Sequence, residues 1–447
     1  MQHITIIDYL LLPVYLYIFY MIVKKRAIAY TDAELRKIFF TAFFLRMFGS
    51  VAYSMMVQYY YGYGDSFTYY VGSNFLRTQV LQDASNISYF FAPAEEVKQW
   101  YDFEVGDINY AGYLGGAPNL FVMKISALVS LLAFNKFLII SIIFGFFSFA
   151  GQWRLFQVFN EINKGQQQKL LAWAVLYTPS IWFWGSGLMK ESICLGGLGF
   201  IVHFLYKIFV KKKFVLMDIL VLVFLVYLVG NIKSYIIIIL VISLATLVFF
   251  NFIASVKNFV FKSMLLVAFL FASIVIAYNL NFTAQLEILA DESKAQIQTF
   301  KHNYEVTQLV DETSKAAVKV QEFDASPSGL LLHSPVAIFT TLFRPFIWES
   351  RKIIILFTSL ESMLLLLTTL YLLFKLRFFG FFKAIFSNSY LLFCFVLSLL
   401  FALIIGFTTY NFGTMVRYKI MLLPFYYFML VQLYSIYKHQ TKIIRAG

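Results

Sequence analysis

Side chains that carry most enzyme chemistry are scarce in this chain. Its 447 residues include two cysteines, five histidines and eight prolines, and only 13% of its residues are charged. Cys194 and Cys394 each lie within an apolar run, and neither has a partner at the spacing of metal ligands. The sequence has no P-loop, no Gly-x-Ser-x-Gly elbow and no dinucleotide fingerprint. These absences argue against a disulfide framework, a zinc site and the use of cytosolic ATP.

Apolar residues, by contrast, make up 61% of the chain, and the mean hydropathy is +0.75. Repeated apolar runs of about 18 or more residues are typical of membrane-spanning helices. The net charge of +13 comes mostly from short connections, which fits contact with anionic lipids better than nucleic-acid binding. We therefore predict an all-α, polytopic membrane protein that forms a single integral membrane domain over residues 1–447.

Basic clusters orient the predicted helices. Residues 24–26 and 211–213 are the clearest clusters, and placing them inside gives about eleven membrane spans, with the N-terminus outside and the C-terminus inside. The first apolar run precedes its basic cluster, which is the reverse of a cleavable signal peptide, so we expect this helix to be retained. The predicted spans cover about residues 5–23, 38–59, 137–158, 169–185, 193–210, 214–230, 235–254, 262–280, 353–374, 389–407 and 419–437.

Two longer segments lie outside the membrane in this topology. The first is an external loop over residues 62–135, whose apolar stretch 120–134 we interpret as a helix on the outer surface. If that stretch were a span, every later loop would change sides. The second is a polar segment over 281–350, which ends in an amphipathic stretch at the interface.

Charged residues beside long apolar runs mark the candidate site. Charge near the membrane interior is costly and usually marks a substrate path or a site. In the predicted topology five such stretches share the outer side, and four of them carry a cation where the positive-inside rule expects few. This pattern is expected of a pocket for a lipid-linked phosphate. The stretches are residues 64–66, 187–192, 231–234, 343–349 and 415–419.

Asp65 is the candidate general base. It follows Gly62 and Gly64, which allow a tight turn and a close approach to a ligand. A carboxylate at a dry membrane edge can accept a proton, although Asp65 could instead cap a following helix. A second acidic patch in the same loop includes Asp107 and could supply a metal ligand, or it could simply be solvated. The sequence requires no cofactor, and a divalent metal ion is compatible with these carboxylates.

Five cations are candidate ligands for the phosphate. Arginine can contact two phosphate oxygens at once, whereas lysine acts as a point charge. Lys190 could alternatively be neutralised by its neighbour Glu191 or extend to the interface. The candidate phosphate ligands are Lys190, Lys233, Arg344, Arg417 and Lys419, and the supporting residues are Glu191, Glu349, Tyr69 and Asp107.

The outward helix followed by Gly-Asp-Ser-Phe-Thr-Tyr-Tyr at residues 64–70 and a surface helix resembles the first external loop of GT-C glycosyltransferases. Residues 179–192 and 413–419 are similar to segments of membrane proteins from bacterial polysaccharide gene clusters. The resemblance implies a polyprenyl-phosphate-linked sugar as donor, and it implies that Asp65 is the catalytic base. The chain departs from the family by an additional first helix and by the lack of an Asp-Glu pair beside Asp65.

We therefore expect a glycosyltransferase of the bacterial inner membrane that acts on the periplasmic face. It would transfer a sugar from polyprenyl phosphate to a glycan or lipid acceptor. A polysaccharide polymerase needs the same outer cations and stays open as an alternative. A lipid-linked glycan flippase or transporter predicts charges along a path to both faces, whereas here they concentrate at the outer ends. A scaffold without chemistry is the remaining alternative.

Overall fold

The structure is a computed structural model that describes residues 3–105, 116–256, 327–350, 353–409 and 412–446, together with residues 258 and 264. All the regular secondary structure in these ranges is helical, which confirms the all-α prediction. The chain divides into two compact units, Met1–Ile237 and Ile238–Gly447. The prediction of one integral membrane domain is not tested by this division.

Eleven α-helices begin in the described part of the first unit. A π-helical turn, Met56–Tyr61, extends α2, and another, Tyr206–Val210, extends α9. A 3-10 helix, Ala84–Phe90, follows α3. In chain order the α-helices are α1 Ile6–Ala27, α2 Ala33–Met55, α3 Asp65–Gln82, α4 Ala94–Val105, α5 Ala117–Leu132, α6 Phe137–Ile162, α7 Gln168–Ala172, α8 Pro179–Trp184, α9 Lys190–Leu205, α10 Leu216–Ile232 and α11 Ser234–Ser255.

In its described residues, the second unit contains the end of α11 and six further α-helices. The hydroxyl of Thr341 on α12 donates to the carbonyl of Ala402 on α15 at 2.8 Å, and the hydroxyls of Thr369 on α13 and Tyr426 on α17 lie 3.2 Å apart. A 3-10 helix, Ile347–Glu349, lies between α12 and α13. The helices are α12 Pro327–Phe343, α13 Ile353–Leu376, α14 Phe378–Phe386, α15 Ser389–Thr408, α16 Phe412–Lys419 and α17 Leu423–Ala446.

Seven described helices are long and apolar enough to cross a membrane, and the number is eight if α16 and α17, which are bent by 62° at a short break, form one span. The protein is therefore a multi-pass membrane protein by helix length and composition. The total of about eleven spans stays a prediction. The span predicted at 214–230 is the 17-residue apolar helix α10, and the span predicted at 262–280 lies, except for residue 264, outside the described residues.

The continuous helix predicted over residues 169–185 is wrong. The segment consists of α7, a π-helical turn at Trp173–Tyr177 and α8, with the backbone of Thr178 extended at the junction (φ −55°, ψ 121°). Pro179 has no backbone N–H and disfavours helical geometry in the residue before it, so the chain breaks there. The Thr178 hydroxyl donates to the Trp173 carbonyl at 2.8 Å and satisfies one of the freed groups.

Glycines allow α6 and α9 to pack closely. A Cβ on Gly151 would lie 1.9 Å from the Gly196 carbonyl oxygen, and one on Gly199 would lie 2.2 Å from the Gly151 carbonyl oxygen. Small residues are the usual means by which membrane helices bring their backbones together, because lipid offers no hydrophobic driving force between them. This contact fixes α9, which carries Lys190 and Glu191 at its N-terminus.

The helices of the first unit alternate between two ends. At one end the start of α6 meets the start of α1, where the Leu138 N–H donates to Asp8 at 3.1 Å. At the other, Trp153 near the end of α6 donates to the Tyr30 hydroxyl, between α1 and α2, at 2.7 Å. We name these the Lys190 end and the Lys211 end, after the residues at the start of α9 and after its π-helical turn.

The loop predicted over 62–135 is built from α3, the 3-10 helix, α4 and α5. The Ser126 hydroxyl on α5 donates to Ser73 on α3 at 3.1 Å, and Met123 of α5 fills the space beside Gly72. With 16 residues, α5 is about 24 Å long, which is shorter than the ~30 Å hydrocarbon core of a bilayer.

Candidate functional site

Charged residues from three distant parts of the sequence meet at the Lys190 end of the first unit. Lys233 Nζ lies 2.9 Å from Glu191 Oε1, and both side chains are buried, with 6% and 4% of their surface exposed. Lys190 is half-buried within electrostatic range of Asp65, Glu191 and Lys233. The structure thus brings together three of the five charged stretches, at 64–66, 187–192 and 231–234. We name Asp65, Lys190, Glu191 and Lys233 the Lys190 cluster.

The turn before α9 determines the position of Lys190, the first residue of that helix. Gly187 has a positive φ of +84°, and a Cβ there would lie 2.4 Å from the Tyr53 ring. The Ser192 hydroxyl donates to the Gly187 carbonyl at 2.8 Å and closes the turn onto the first turn of α9. Glycine is therefore required at this position for both its backbone conformation and its lack of a side chain.

A similar glycine turn precedes Asp65. Gly62 and Gly64 have φ of +70° and +133°, and α3 begins at Asp65 immediately afterwards. The residue before the helix is Gly64, so Asp65 lies within the first turn and is not the capping residue. A carboxylate in the first turn interacts favourably with the helix dipole.

Tyr53 connects the two turns of the site. Its ring is buried and packs at the Gly187 turn, and its hydroxyl forms a 3.0 Å hydrogen bond with the buried hydroxyl of Ser66, next to Asp65. Either hydroxyl can donate. One side chain of α2 therefore sets the separation between the start of α3, with Asp65, and the start of α9, with Lys190.

The cluster combines a carboxylate that can accept a proton with a cation that can bind an anion. The hydrogen bond described for Glu191 comes from Lys233, 42 residues away along the chain, rather than from its neighbour Lys190. Since Lys233 and Glu191 form a buried ion pair, Asp65 and Lys190 are the two members of the cluster outside that pair. The prediction that Lys233 binds phosphate stays a prediction, and its buried position gives it a supporting contact with Glu191.

The other two charged stretches meet within the second unit. Arg344 Nε donates to both carboxylate oxygens of Glu349, at 3.0 and 3.2 Å, and the Arg344 guanidinium lies 5.2 Å from the centre of the Phe412 ring. Lys419 is 1% exposed and donates to the Arg344 carbonyl at 3.1 Å and to the Ser362 hydroxyl at 2.6 Å. Lys419 therefore fixes the backbone at Arg344.

Hydrogen bonds control the ionisation of Glu349. Burial raises the pKa of the Glu349 carboxyl, but hydrogen bonds from the Arg344 guanidinium and the Phe346 N–H outweigh it, so the pKa lies below its ordinary value. Glu349 is thus held as a carboxylate that orients the Arg344 fork. Arg417 is half-buried on α16, two residues before Lys419.

The remaining predicted residues have different placements. Tyr69 is buried, and its hydroxyl donates to Asn119 Oδ1 at 3.4 Å, which links α3 to α5. Asp107 lies outside the described residues. In the described part of the chain, no three His, Cys, Asp or Glu side chains form a group that could hold a metal ion.

Sequence reasoning did not identify the structural roles of Tyr53 and Arg46. Arg46 is 2% exposed on α2, and its guanidinium donates to the carbonyls of Ile181 at 3.1 Å and Gly185 at 2.7 Å. The Gly185 carbonyl directly follows α8, and the Ile181 carbonyl in α8 also accepts from the Gly185 N–H at 3.1 Å. By binding both carbonyls, Arg46 stabilises the broken segment that leads to Lys190. The signal was an arginine inside an apolar run, which usually marks a buried partner.

Comparison of the chain with protein-family models, with curated proteins and with solved structures gives no match.

Proposed function

We propose that this chain is a membrane glycosyltransferase that uses a polyprenyl-phosphate-linked sugar. The observation that carries the proposal is the placement of Asp65 and Lys190 at one end of the first unit, within electrostatic range of each other. Such a transfer requires at least two groups at one site: a carboxylate as the base for the acceptor and a cation for the departing phosphate.

In the proposed reaction, an acceptor hydroxyl oxygen attacks the anomeric carbon of the donor sugar. Asp65 takes the hydroxyl proton as the new glycosidic bond forms. The bond between the anomeric carbon and the phosphate oxygen breaks, and its electron pair leaves with polyprenyl phosphate. Lys190 stabilises the negative charge that develops on that phosphate, and the buried Glu191–Lys233 pair holds the start of α9 in place.

The acceptor is a glycan or a lipid, and the cluster is proposed to face the periplasm at the inner membrane of a bacterium. This orientation places the basic Lys211 end in the cytoplasm, as the positive-inside rule expects. Phosphate binding by Arg344 and Arg417 stays a prediction from the sequence and is tested separately, by changing each arginine to glutamine.

The test compares Asp65→Asn and Lys190→Gln with wild type. Membrane vesicles containing each protein are given polyprenyl-phosphate glucose, mannose or N-acetylglucosamine labelled in the sugar, and labelled glycan and released polyprenyl phosphate are measured. We expect Asp65→Asn to lower the rate by about 10²- to 10⁴-fold and Lys190→Gln by about 10- to 10³-fold. Asp83→Asn is the matched control, because Asp83 is an exposed aspartate just after the end of the same helix.

Wild-type rates from both Asp65→Asn and Lys190→Gln, in proteins that insert normally, would rule out this mechanism. A product that grows by many repeat units only from polyprenyl-pyrophosphate oligosaccharides would instead identify a polymerase.

A further inference from the structure

A cavity with several charged residues in its walls lies at the Lys211 end of the first unit, where α6, α9 and α10 meet. It has a volume of about 500 Å³, which is within the range of small-molecule sites. Four cationic side chains and two carboxylates line it, so its walls carry a net positive charge. The charged residues are Arg154, Lys207, Lys211, Lys213, Glu161 and Asp218.

Ion pairs within the walls leave part of this positive charge uncompensated. Lys207 Nζ lies 2.5 Å from Asp218 Oδ2, and Lys211 Nζ lies 2.6 Å from Glu161 Oε2. Since these two pairs account for both carboxylates, Arg154 and Lys213 supply the excess positive charge. The first pair joins the π-helical turn after α9 to α10, and the second joins the segment after that turn to α6.

Arg154 is placed inside the fold rather than in a solvated loop. It lies two turns before the end of α6 and is half-buried. Its guanidinium donates to the Gln157 side chain, one turn further along the same helix, at 3.0 Å. A guanidinium has five N–H donors in a planar fork that matches two phosphate oxygens, so this contact leaves most of its donors for a ligand.

Both polar and apolar side chains line the walls of this cavity. His203 Nδ1 is buried without a hydrogen-bond partner in the described part of the chain, which a ligand hydroxyl in this cavity would satisfy. Phe200 and Phe204 line the wall on α9, on the same side as His203. The π-helical turn at Tyr206–Val210 and the positive φ of Lys212 (+53°) then turn the basic segment 211–213 back to the rim.

We propose that this cavity binds a phosphate-bearing ligand through Arg154 and Lys213, at the opposite end of the first unit from the Lys190 cluster. Basic pockets between membrane helices are a usual site for anionic lipid headgroups, and the two phenylalanines suit the first carbons of a lipid better than a fully solvated ion. The same phosphate chemistry is available in a soluble compound such as a nucleoside diphosphate. The proposal does not depend on the glycosyltransferase activity.

The experiment measures binding to the purified full chain in two arms. In the lipid arm, the protein is reconstituted in nanodiscs of phosphatidylcholine with or without phosphatidylglycerol, and the lipid retained after extraction is counted by native mass spectrometry. In the soluble arm, inorganic phosphate and ADP are titrated into the protein in phosphatidylcholine nanodiscs. Retained phosphatidylglycerol, or saturable binding of phosphate or ADP, supports the site and identifies its source.

The variants Arg154→Gln and Lys213→Gln are each expected to weaken this binding about tenfold, the effect of losing one charge-assisted hydrogen bond. Lys25→Gln is the matched control, because Lys25 is an exposed lysine on α1 in the basic cluster that follows the first apolar run and does not line the cavity. Should Arg154→Gln fail to fold, Lys213→Gln tests the proposal alone, since Lys213 is exposed. No binding in either arm, or equal loss in Lys25→Gln, overturns it.

Discussion

At the scale of single residues, the contact with the greatest energetic consequence in the Lys190 cluster is the buried pair of Lys233 and Glu191. Both groups leave water on folding, and each compensates the charge of the other at 2.9 Å. A buried charge without its partner is far more costly than the intact pair is favourable.

We expect Lys233→Met and Glu191→Gln to lower the free energy of unfolding, the first by about 3–5 kcal/mol. The double variant should be closer to wild type than Lys233→Met, because it leaves no buried charge. Thermal unfolding of the four proteins in detergent measures this coupling as a double-mutant cycle. If the loss of stability in the double variant equals the sum of the two single losses, Lys233 and Glu191 do not interact directly.

Glu349 makes a second residue-scale prediction, which concerns pH. Since its pKa is lowered in the folded protein, its contact with Arg344 contributes stability that is complete above the ordinary carboxyl pKa of about 4.3. That contribution is lost as the pH falls through the lower native pKa.

We therefore expect wild type to lose stability in detergent as the pH is lowered from about 6 to about 3. The variant Glu349→Gln should lack this contribution to the loss. The exposed carboxylate Asp32 has no basic partner described, and Asp32→Asn serves as the control for general acid effects. If the stability of wild type and of Glu349→Gln falls in parallel with pH, the contact between Glu349 and Arg344 does not make stability depend on pH.

At the scale of elements, short irregular junctions position the charges. The turn at Gly187 starts α9, the turn at Gly62 and Gly64 starts α3, and Tyr53 of α2 contacts both starts. Non-helical backbone within a membrane protein is tolerated where protein groups satisfy it, as Arg46 does for the end of α8.

Alanine substitutions at Gly187 and Gly62 separate the effect of backbone strain from the effect of a steric clash with a neighbouring side chain. Gly187→Ala should destabilise the protein by about 1–3 kcal/mol more than Gly62→Ala, because a Cβ at Gly187 meets the Tyr53 ring while one at Gly62 meets nothing within 4 Å. Both glycines have positive φ, so strain is common to the two variants. Thermal unfolding and glycan product measure the effects on stability and function. Equal losses of stability in the two variants would show that the Tyr53 ring moves aside without a measurable loss of free energy.

At the scale of the whole molecule, orientation in the membrane is the property that the proposed function most requires. Tyr63 and Lys25 are exposed residues at opposite ends of the first unit, at the Lys190 end and the Lys211 end. The positive-inside rule places the first outside and the second in the cytoplasm.

A membrane-impermeant thiol reagent added to intact cells should therefore label Tyr63→Cys and not Lys25→Cys. The unsubstituted chain is the control, because Cys194 and Cys394 are both buried. Disrupting the cells should expose Lys25→Cys to the reagent. Labelling of Lys25→Cys alone would place the Lys190 cluster in the cytoplasm and exclude a periplasmic transferase.

Much of the architecture was predictable from the sequence because the bilayer imposes simple rules. Long apolar runs become helices, since a spanning backbone must satisfy its own hydrogen bonds, and seven of these helices are described at or near their predicted positions. Gly62 and Gly64 before Asp65 indicated a tight turn, which is present. The helix predicted over residues 169–185 did not take into account the break that Pro179 causes at Thr178.

The sequence by itself determined that charged residues would be rare and concentrated near helix ends, because each one is costly in lipid. Only the tertiary structure decided which charges face one another. Glu191 pairs with Lys233 rather than with Lys190 because α9 and α10 pack side by side, which brings residues 42 positions apart to 2.9 Å. No periodicity or local rule encodes that distance, since it depends on how closely glycine-lined helices approach.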